Sequence, residues 1–427
     1  MTNSAQKLDA RPEKQVKRIC VLLTILSCML VLSYTHDIPF DNAASRYATI
    51  DSLAHHQSFN IAKSPFAKFT VDKIFTKDGQ LSTKPPLLST LVALVYKGYT
   101  KITGRTLHSH PHQSLYLLNL LVGLGSTLFL LFYAYRVMIL WTKDLSLRVA
   151  GFTILALGYL GFSYATTLNN HTPAAAALFA AFFYIYRKRL GDKSSRCHMA
   201  FAGLLMGFAM AFDHGAALLS LGFVGYLFLL DRQQCINIVL PAALLPLLAN
   251  SCLNYYATGT WLPIQIQPEL YATAQNYWNS QQQHLIDAIE PPKWRYTLHF
   301  LIGHHGIFSF TPVFLFALPT LFLNLKNRSQ DFNEALVVSM SLCGMLTYYI
   351  LRTHNYGGIC IGARWFILIM PMLVLFALRF AEKYSKPHMR RLFWLSIAIS
   401  VYNSVQGMKS PWQLSAWYDY FAAWNWT

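Results

Sequence analysis

Apolar runs long enough to cross a membrane alternate with short polar segments along most of the chain, and one long polar stretch breaks the alternation near its start. About 20 consecutive apolar residues cross a bilayer as a helix. The pattern predicts a first span from about Arg18 to Tyr34 and further spans near 114–135, 148–167, 172–187, 198–213, 215–230, 236–256, 307–325, 335–352, 364–380 and 391–406. The expected fold is an all-α polytopic membrane protein with a bundle of about 11 transmembrane helices. The polar interruption runs from Thr35 to Pro86 and carries Asp37, Asp41, Asp51, Asp72 and Asp78, five of the chain's 18 acidic residues.

The segment after it, PPLLSTLVALVYKGYTKITG, is apolar enough to suggest another span. Parity argues otherwise. If it crosses, the most basic loop, RKRLGDKSSR at 187–196, falls outside; if it lies along the outer surface, that loop falls inside with 135–148 and 382–391. Loops rich in Lys and Arg stay in the cytoplasm. The expected organisation is therefore a cytoplasmic tail over 1–17, a transmembrane domain over 18–406 with extracytoplasmic segments 35–113 and 257–306, and an extracytoplasmic tail over 407–427. On this topology the polar segments 168–173, 212–215 and 352–365 share the outer face with the long stretch. The tail tryptophans Trp412, Trp417, Trp424 and Trp426 suit an interface belt.

Composition agrees. The chain is 54% hydrophobic and 12% charged, against about 25% charged in soluble domains. Its net charge of +17 is explained by basic loops between apolar helices, so nucleic acid is not an expected partner and the bilayer is. Seven cysteines form no CxxC pair and suggest neither a disulfide framework nor a zinc site. No small-residue cleavage site follows the first apolar run, which reads as a retained anchor.

Several polar residues fall where chemistry at the outer surface would need them. Asp41, just past the first span, can take a proton from an acceptor hydroxyl or cap the helical pattern that follows it; Asp37 is its local rival. Arg46 suits a phosphate or snorkels to headgroups. Lys84 precedes Pro85-Pro86, which restrict the backbone around it and can also start a helix. His171 and the Asp213-His214 pair sit on short turns and can share a proton or hold a metal. Arg364 enters the top of an apolar helix beside the glycines of Tyr356-Gly357-Gly358 and Gly362. A charge there needs a cavity or partner. Aromatics in 257–306, among them Trp261, Tyr271, Tyr277, Trp278 and Trp294, suit a sugar platform or interfacial anchoring.

The order Asp41, Arg46-Tyr47, then Lys84-Pro85-Pro86-Leu87 after one membrane helix resembles the GT-C superfamily of membrane glycosyltransferases. It is similar to the lipid-linked aminoarabinose transferases and protein O-mannosyltransferases. A group of uncharacterised bacterial membrane proteins looks nearer still, on Asn42, Ser45-Arg46, Asp72-Lys73, Lys84-Pro85-Pro86, Tyr356-Gly357-Gly358 and Gly362-Ala363-Arg364. Ala43 or Ala44 stands where the aminoarabinose transferases have an acid, and Thr83 where they often have Glu. The resemblance implies a GT-C-like bundle in the inner membrane with a cytoplasmic N-terminus. It also implies sugar transfer, with inversion, from a polyprenyl-phosphate donor to a lipid, glycan or protein acceptor. Asp41 would act as base with Asp72 as substitute, while Arg46, Lys84, His171, Tyr356 and Arg364 would bind substrate. A divalent metal is left open, with no residue assigned to it. The rival readings are a transporter or flippase of a lipid-linked sugar, or a GT-C-like protein without activity.

Overall fold

The computed structural model describes residues 2–35, 41–77, 79–192, 195–271, 292–353, 356–384, 386–414 and 420, without the side chains of 2–10, Asp41 and Pro268. Asp37, Asp78, Tyr277, Trp278, Asn355, Trp417, Trp424 and Trp426 lie outside the described residues.

The first membrane helix is α1 (Thr2–Tyr34). The polar stretch then folds into α2 (Asp41–His56), a two-stranded hairpin of β1 (Lys73–Thr76) and β2 (Gly79–Ser82), and α3 (Pro86–Thr103). The bundle continues with α4 (Pro111–Trp141), α5 (Leu145–Leu157), α6 (Leu160–Ser163), α7 (His171–Arg189), α8 (Arg196–Phe212) and α9 (Ala216–Leu230). A short α10 (Arg232–Gln234) runs through one π turn into α11 (Leu240–Thr258). After α12 (Lys293–Leu301) and α13 (Ile307–Phe310) come α14 (Ala317–Asn327), α15 (Phe332–Arg352), α16 (Met370–Lys383) and α17 (Pro387–Gly407).

Each expected span coincides with a helix or a helix pair. By length and composition, four helices qualify as crossings among the described residues: Arg11–Tyr34, Pro111–Trp141, Arg232–Thr258 and Phe332–Arg352. The bent pair Leu145–Leu157 and Leu160–Thr166 makes a fifth. The protein is thus a helical, polytopic membrane protein. The fold is helical as expected, with one short β-hairpin added to it. Its register pairs Thr76 with Gly79.

At the centre stands α7, apolar on nearly every side, and such a helix is buried all round. From Ala174 to Phe183 it is buried without a break. It packs among α4, α8 and α9, so its first residue, His171, is held by the most rigid part of the molecule. Small residues permit the close approach of α8 to α11: a Cβ on Gly207 would stand 2.2 Å from the carbonyl oxygen of Ala243.

Alongside this core a second cluster joins α2, α3 and the start of α4 through Tyr47, Ile50, Leu88, Val92, Tyr96 and Leu118. α3 buries Leu88, Val92 and Tyr96, spaced by four, and leaves Leu94 and Val95 exposed. It is amphipathic, and its buried stripe clamps it along α2.

Candidate functional site

Antiparallel pairing builds the first part of the site. Lys73 pairs with Ser82, and the amide of Thr83 donates to the carbonyl of Asp72 at 3.1 Å. The hairpin thereby brings Asp72 and Lys84 together, and Lys84 Nζ lies 2.6 Å from Asp72 Oδ2. Their side chains are 13% and 16% exposed, which makes the pair largely dry. Proline at the start of α3 fixes the chain just after Lys84. From α2, Ser45 Oγ donates to the Asp72 carbonyl at 2.6 Å, and Asn42 Nδ2 donates to Asp72 Oδ2 at 3.2 Å.

Arg46, one turn beyond Asn42, donates to the Asn42 carbonyl at 3.0 Å and to Asn42 Oδ1 at 2.6 Å. Its other terminal nitrogen reaches Asn170 Oδ1 at 2.5 Å, across to the start of α7. There His171 Nδ1 meets Asp213 Oδ2 at 2.5 Å. His171 Nε2 is buried with no hydrogen-bond partner among the described residues. Asp213, in the α8–α9 turn, also accepts from the Gly215 amide at 3.1 Å.

The last part comes from 356–365. Gly357, Gly358 and Gly362 have φ of +103°, +83° and +60°, a region glycine enters readily. They fold the segment so that Arg364 turns back over it. A Cβ on Gly357 would lie 3.0 Å from Arg364 Nε. Arg364 is 8% exposed, its guanidinium carbon is 5.0 Å from the centroid of the Trp412 ring, and its Nε has no hydrogen-bond partner among the described residues.

These groups line one cavity of about 1400 Å³. Asn42, Arg46, Asp72, Lys84, His171, Asp213 and Arg364 face it at one end. Leu218 of α9 and Cys343, Met345 and Tyr348 of α15 line another part. Trp365, stacked on Tyr349 at 4.3 Å, and Trp412 complete the aromatic wall.

The electrostatics follow from this crowding. Burial pushes Asp72 up, but the Lys84 ammonium, with Arg364 and Arg46, more than offsets it and holds the carboxyl below its usual range. Burial lowers Lys84; Asp72 resists that shift, and Arg46 and Arg364 add to it. Arg46, buried among the same groups, is drawn down to about 10, chiefly by desolvation.

Of the residues the sequence singles out, the structure brings Arg46, Asp72, Lys84, His171 and Arg364 into this cavity. Asp41 opens α2 one residue before Asn42; its side chain lies outside the described residues. Tyr356 is not in the lining and stacks on Tyr296 at 4.9 Å and on His305 at 5.0 Å. Of the aromatic platform, Tyr271 lines the cavity, whereas Trp261 and Trp294 are exposed. Trp412 lines the cavity instead of standing in an interface belt, because its indole nitrogen donates to Thr167 Oγ1 at 3.1 Å. Sequence reasoning passed over Asn170, Gln265 and Trp412 as cavity residues. Asp213 was legible only as part of a short polar turn.

No protein-family model matches the sequence, and no curated protein matches it. Solved structures match its fold. ArnT from Cupriavidus metallidurans, in the apo state, aligns with a TM-score of 0.57 at 13% identity, over 91% of this chain and 75% of that one. An oligosaccharyltransferase from Archaeoglobus fulgidus in the apo form aligns with a TM-score of 0.52 at 11% identity, over 95% of this chain and 57% of that one. AglB from the same archaeon, in complex with an inhibitory peptide and a dolichol-phosphate, gives 0.50 at 11% identity over 96% and 57%. The chain spans little more than half the length of the archaeal enzymes. At these identities the likeness is one of fold.

Proposed function

We propose that this chain, whose fold is that of the GT-C membrane glycosyltransferases, moves a sugar from a polyprenyl-phosphate-linked donor to a lipid, glycan or protein acceptor. The site would face the extracytoplasmic side of the inner membrane. One observation carries this reading: a single cavity joins the cations Arg46, Lys84 and Arg364 to an apolar wall of Leu218, Cys343 and Met345. A polyprenyl phosphate has the same two ends. A dolichol-phosphate is present in the AglB complex.

In the proposed reaction the bond from the anomeric carbon to the phosphate oxygen breaks, and its electron pair leaves with the polyprenyl phosphate. The acceptor oxygen attacks the opposite face, which inverts the carbon, and gives its proton to a base. Lys84 and Arg364 stabilise charge gathering on the leaving phosphate, which fixed cations in a dry site do well. Arg46 orients the donor, and Asp72 holds Lys84 in place. Asp41, at the head of α2 beside Asn42, is the base from position. His171 is a second candidate, favoured by its unpartnered Nε2 and by Asp213, which fixes its ring from the other side. Tyr356 supports the Gly357–Gly358 turn.

The same geometry supports the topology. Arg46 touches Asn170, so residues 46 and 170 share a side and an even number of crossings separates them. α4 and the bent α5–α6 pair supply two, which leaves α3 along the outer surface. Basic loops on the opposite side favour a cytoplasmic N-terminus, and the proposed topology has eleven spans.

Transfer of label from polyprenyl-phosphate sugars, by membranes carrying wild type, Lys84→Ala, Asp41→Asn or His171→Gln, tests the proposal. Lys84→Ala and the variant lacking the true base should each lose about 10²–10³-fold in rate. Equal transfer by all four would refute the site. A wild type that binds polyprenyl phosphate without transferring sugar would favour a carrier of lipid-linked sugars.

A further inference from the structure

Away from the cavity, three side chains converge on one point. Asp51 and His55 lie four residues apart on the last turns of α2, hence on one face of that helix. His108 comes from the connection between α3 and α4. His108 Nε2 is 3.0 Å from Asp51 Oδ1, and His55 Nε2 is 3.7 Å from the same oxygen. The two imidazole rings are 5.5 Å apart, nearly perpendicular. One donor atom from each residue falls within 4.8 Å of the others.

Asp51 is what makes the cluster more than a surface ion pair. Its residue exposure is 0%, and its Oδ2 has no hydrogen-bond partner among the described residues. A buried carboxylate oxygen left unmatched is costly. The two histidines, 30% and 48% exposed, close the outer side. One divalent cation held between Asp51 Oδ1 and the two ring nitrogens would match the charge of this buried carboxylate. A tetrahedral zinc ion with ligands at about 2.0–2.1 Å separates its donors by roughly 3.3 Å; the distances of 3.0 and 3.7 Å bracket that value.

We propose that Asp51, His55 and His108 form a binding site for one divalent transition-metal ion of the zinc class, with water as the fourth ligand. Two imidazoles and a carboxylate suit that class better than magnesium or calcium, which prefer oxygen alone. The ion ties the end of α2 to the α3–α4 connection. Tyr96, whose hydroxyl accepts from the Leu107 amide at 2.6 Å, lies 3.3 Å from His55 Nε2, a contact that the bound ion would replace. Five residues separate Asp51 from Arg46, a rise of roughly 7.5 Å along α2. The ion therefore fixes the helix that presents Asn42 and Arg46 to the cavity, without touching the cavity itself.

Zinc titration of the tag-free, full-length protein in detergent, after stripping with chelator, tests the site, with cobalt(II) as an optical stand-in. Wild type should take up one tightly held equivalent and show the visible bands of a low-coordinate cobalt site. His55→Ala and His108→Ala alter exposed side chains and should keep the fold, confirmed by an unchanged elution profile. Each should weaken zinc binding at least ~100-fold, beyond the effect typical of second-shell changes, and lose the cobalt bands. Asp51→Asn should do the same. No saturable uptake by wild type, or uptake that survives both histidine substitutions, would overturn the proposal.

Discussion

The two ends of α7 carry charge clusters of opposite design. The helix has 19 residues, which sets them roughly 28 Å apart. At the C-terminal end Arg189 meets Asp331 at 3.2 Å and Glu334 at 3.3 Å. Arg379 meets Asp331 and Glu382 at 2.8 Å each. Two guanidiniums there face three carboxylates, and Tyr226 adds a hydroxyl to Glu334 at 2.7 Å. At the N-terminal end three cations, Arg46, Lys84 and Arg364, face two carboxylates, Asp72 and Asp213, around an open volume. The first cluster ties up its charges in direct ion pairs, with Glu334 Oε2 left over, and clasps α7, α15 and α16 together. The second keeps an excess of positive charge and leaves Arg364 Nε and His171 Nε2 unpartnered. Cations tied up in direct ion pairs stabilise a fold, whereas a cation excess around a cavity is available to a ligand.

Substitutions at the two ends should therefore separate stability from function. The largest effect is expected from Arg364→Ala, which should cut sugar transfer by about 10²–10³-fold while the melting temperature stays level or rises, since a buried charge has been removed. Parallel loss of transfer and stability would make Arg364 a structural residue. Asp331→Ala should do the reverse. Its side chain is 3% exposed and serves both arginines, so denaturant unfolding should show a loss of about 3–5 kcal/mol, as when one partner of a buried pair is removed. Turnover of the folded fraction should be kept.

A smaller effect sharpens the same contrast through pH. Lys84 has a lowered pKa, so transfer should fall as pH rises through a value beneath the ordinary lysine range. Asp72 is held below the ordinary carboxylate range, so the pair breaks on the acid side only below it. On the acid side the rate should fall first as the base itself takes up a proton, and it should be flat between that limb and the alkaline one. Lys84→Arg should move the alkaline limb upward; a limb that stays put would assign it to another group.

The helices were legible in the sequence because membrane proteins write their spans as apolar runs. The polar segments 168–173, 212–215 and 352–365 were expected on one face, and the cavity draws lining residues from each. Lys84, Arg46 and Arg364 were legible because a charge beside proline, or at the edge of an apolar run, has few bland explanations. The hairpin was missed because it is short and lies in a stretch read as loop. Asp213 and Asn170 were obscured because their meaning depends on a partner far away in sequence, His171 and Arg46 respectively. Trp412 was read as an interfacial anchor because composition cannot distinguish a tryptophan facing headgroups from one beneath a guanidinium.

The central claim, that the outer cluster holds a lipid-linked phosphate, is tested most directly by binding of a polyprenyl phosphate to the purified protein. The dissociation constant should be measured for wild type, Lys84→Ala, Arg364→Ala and, as the opposite-end control, Arg379→Ala. The account predicts that binding weakens at least ~10-fold in the first two variants, the scale of a lost charge-assisted contact, and stays at the wild-type value in the third. Equal affinity across all four proteins would contradict it.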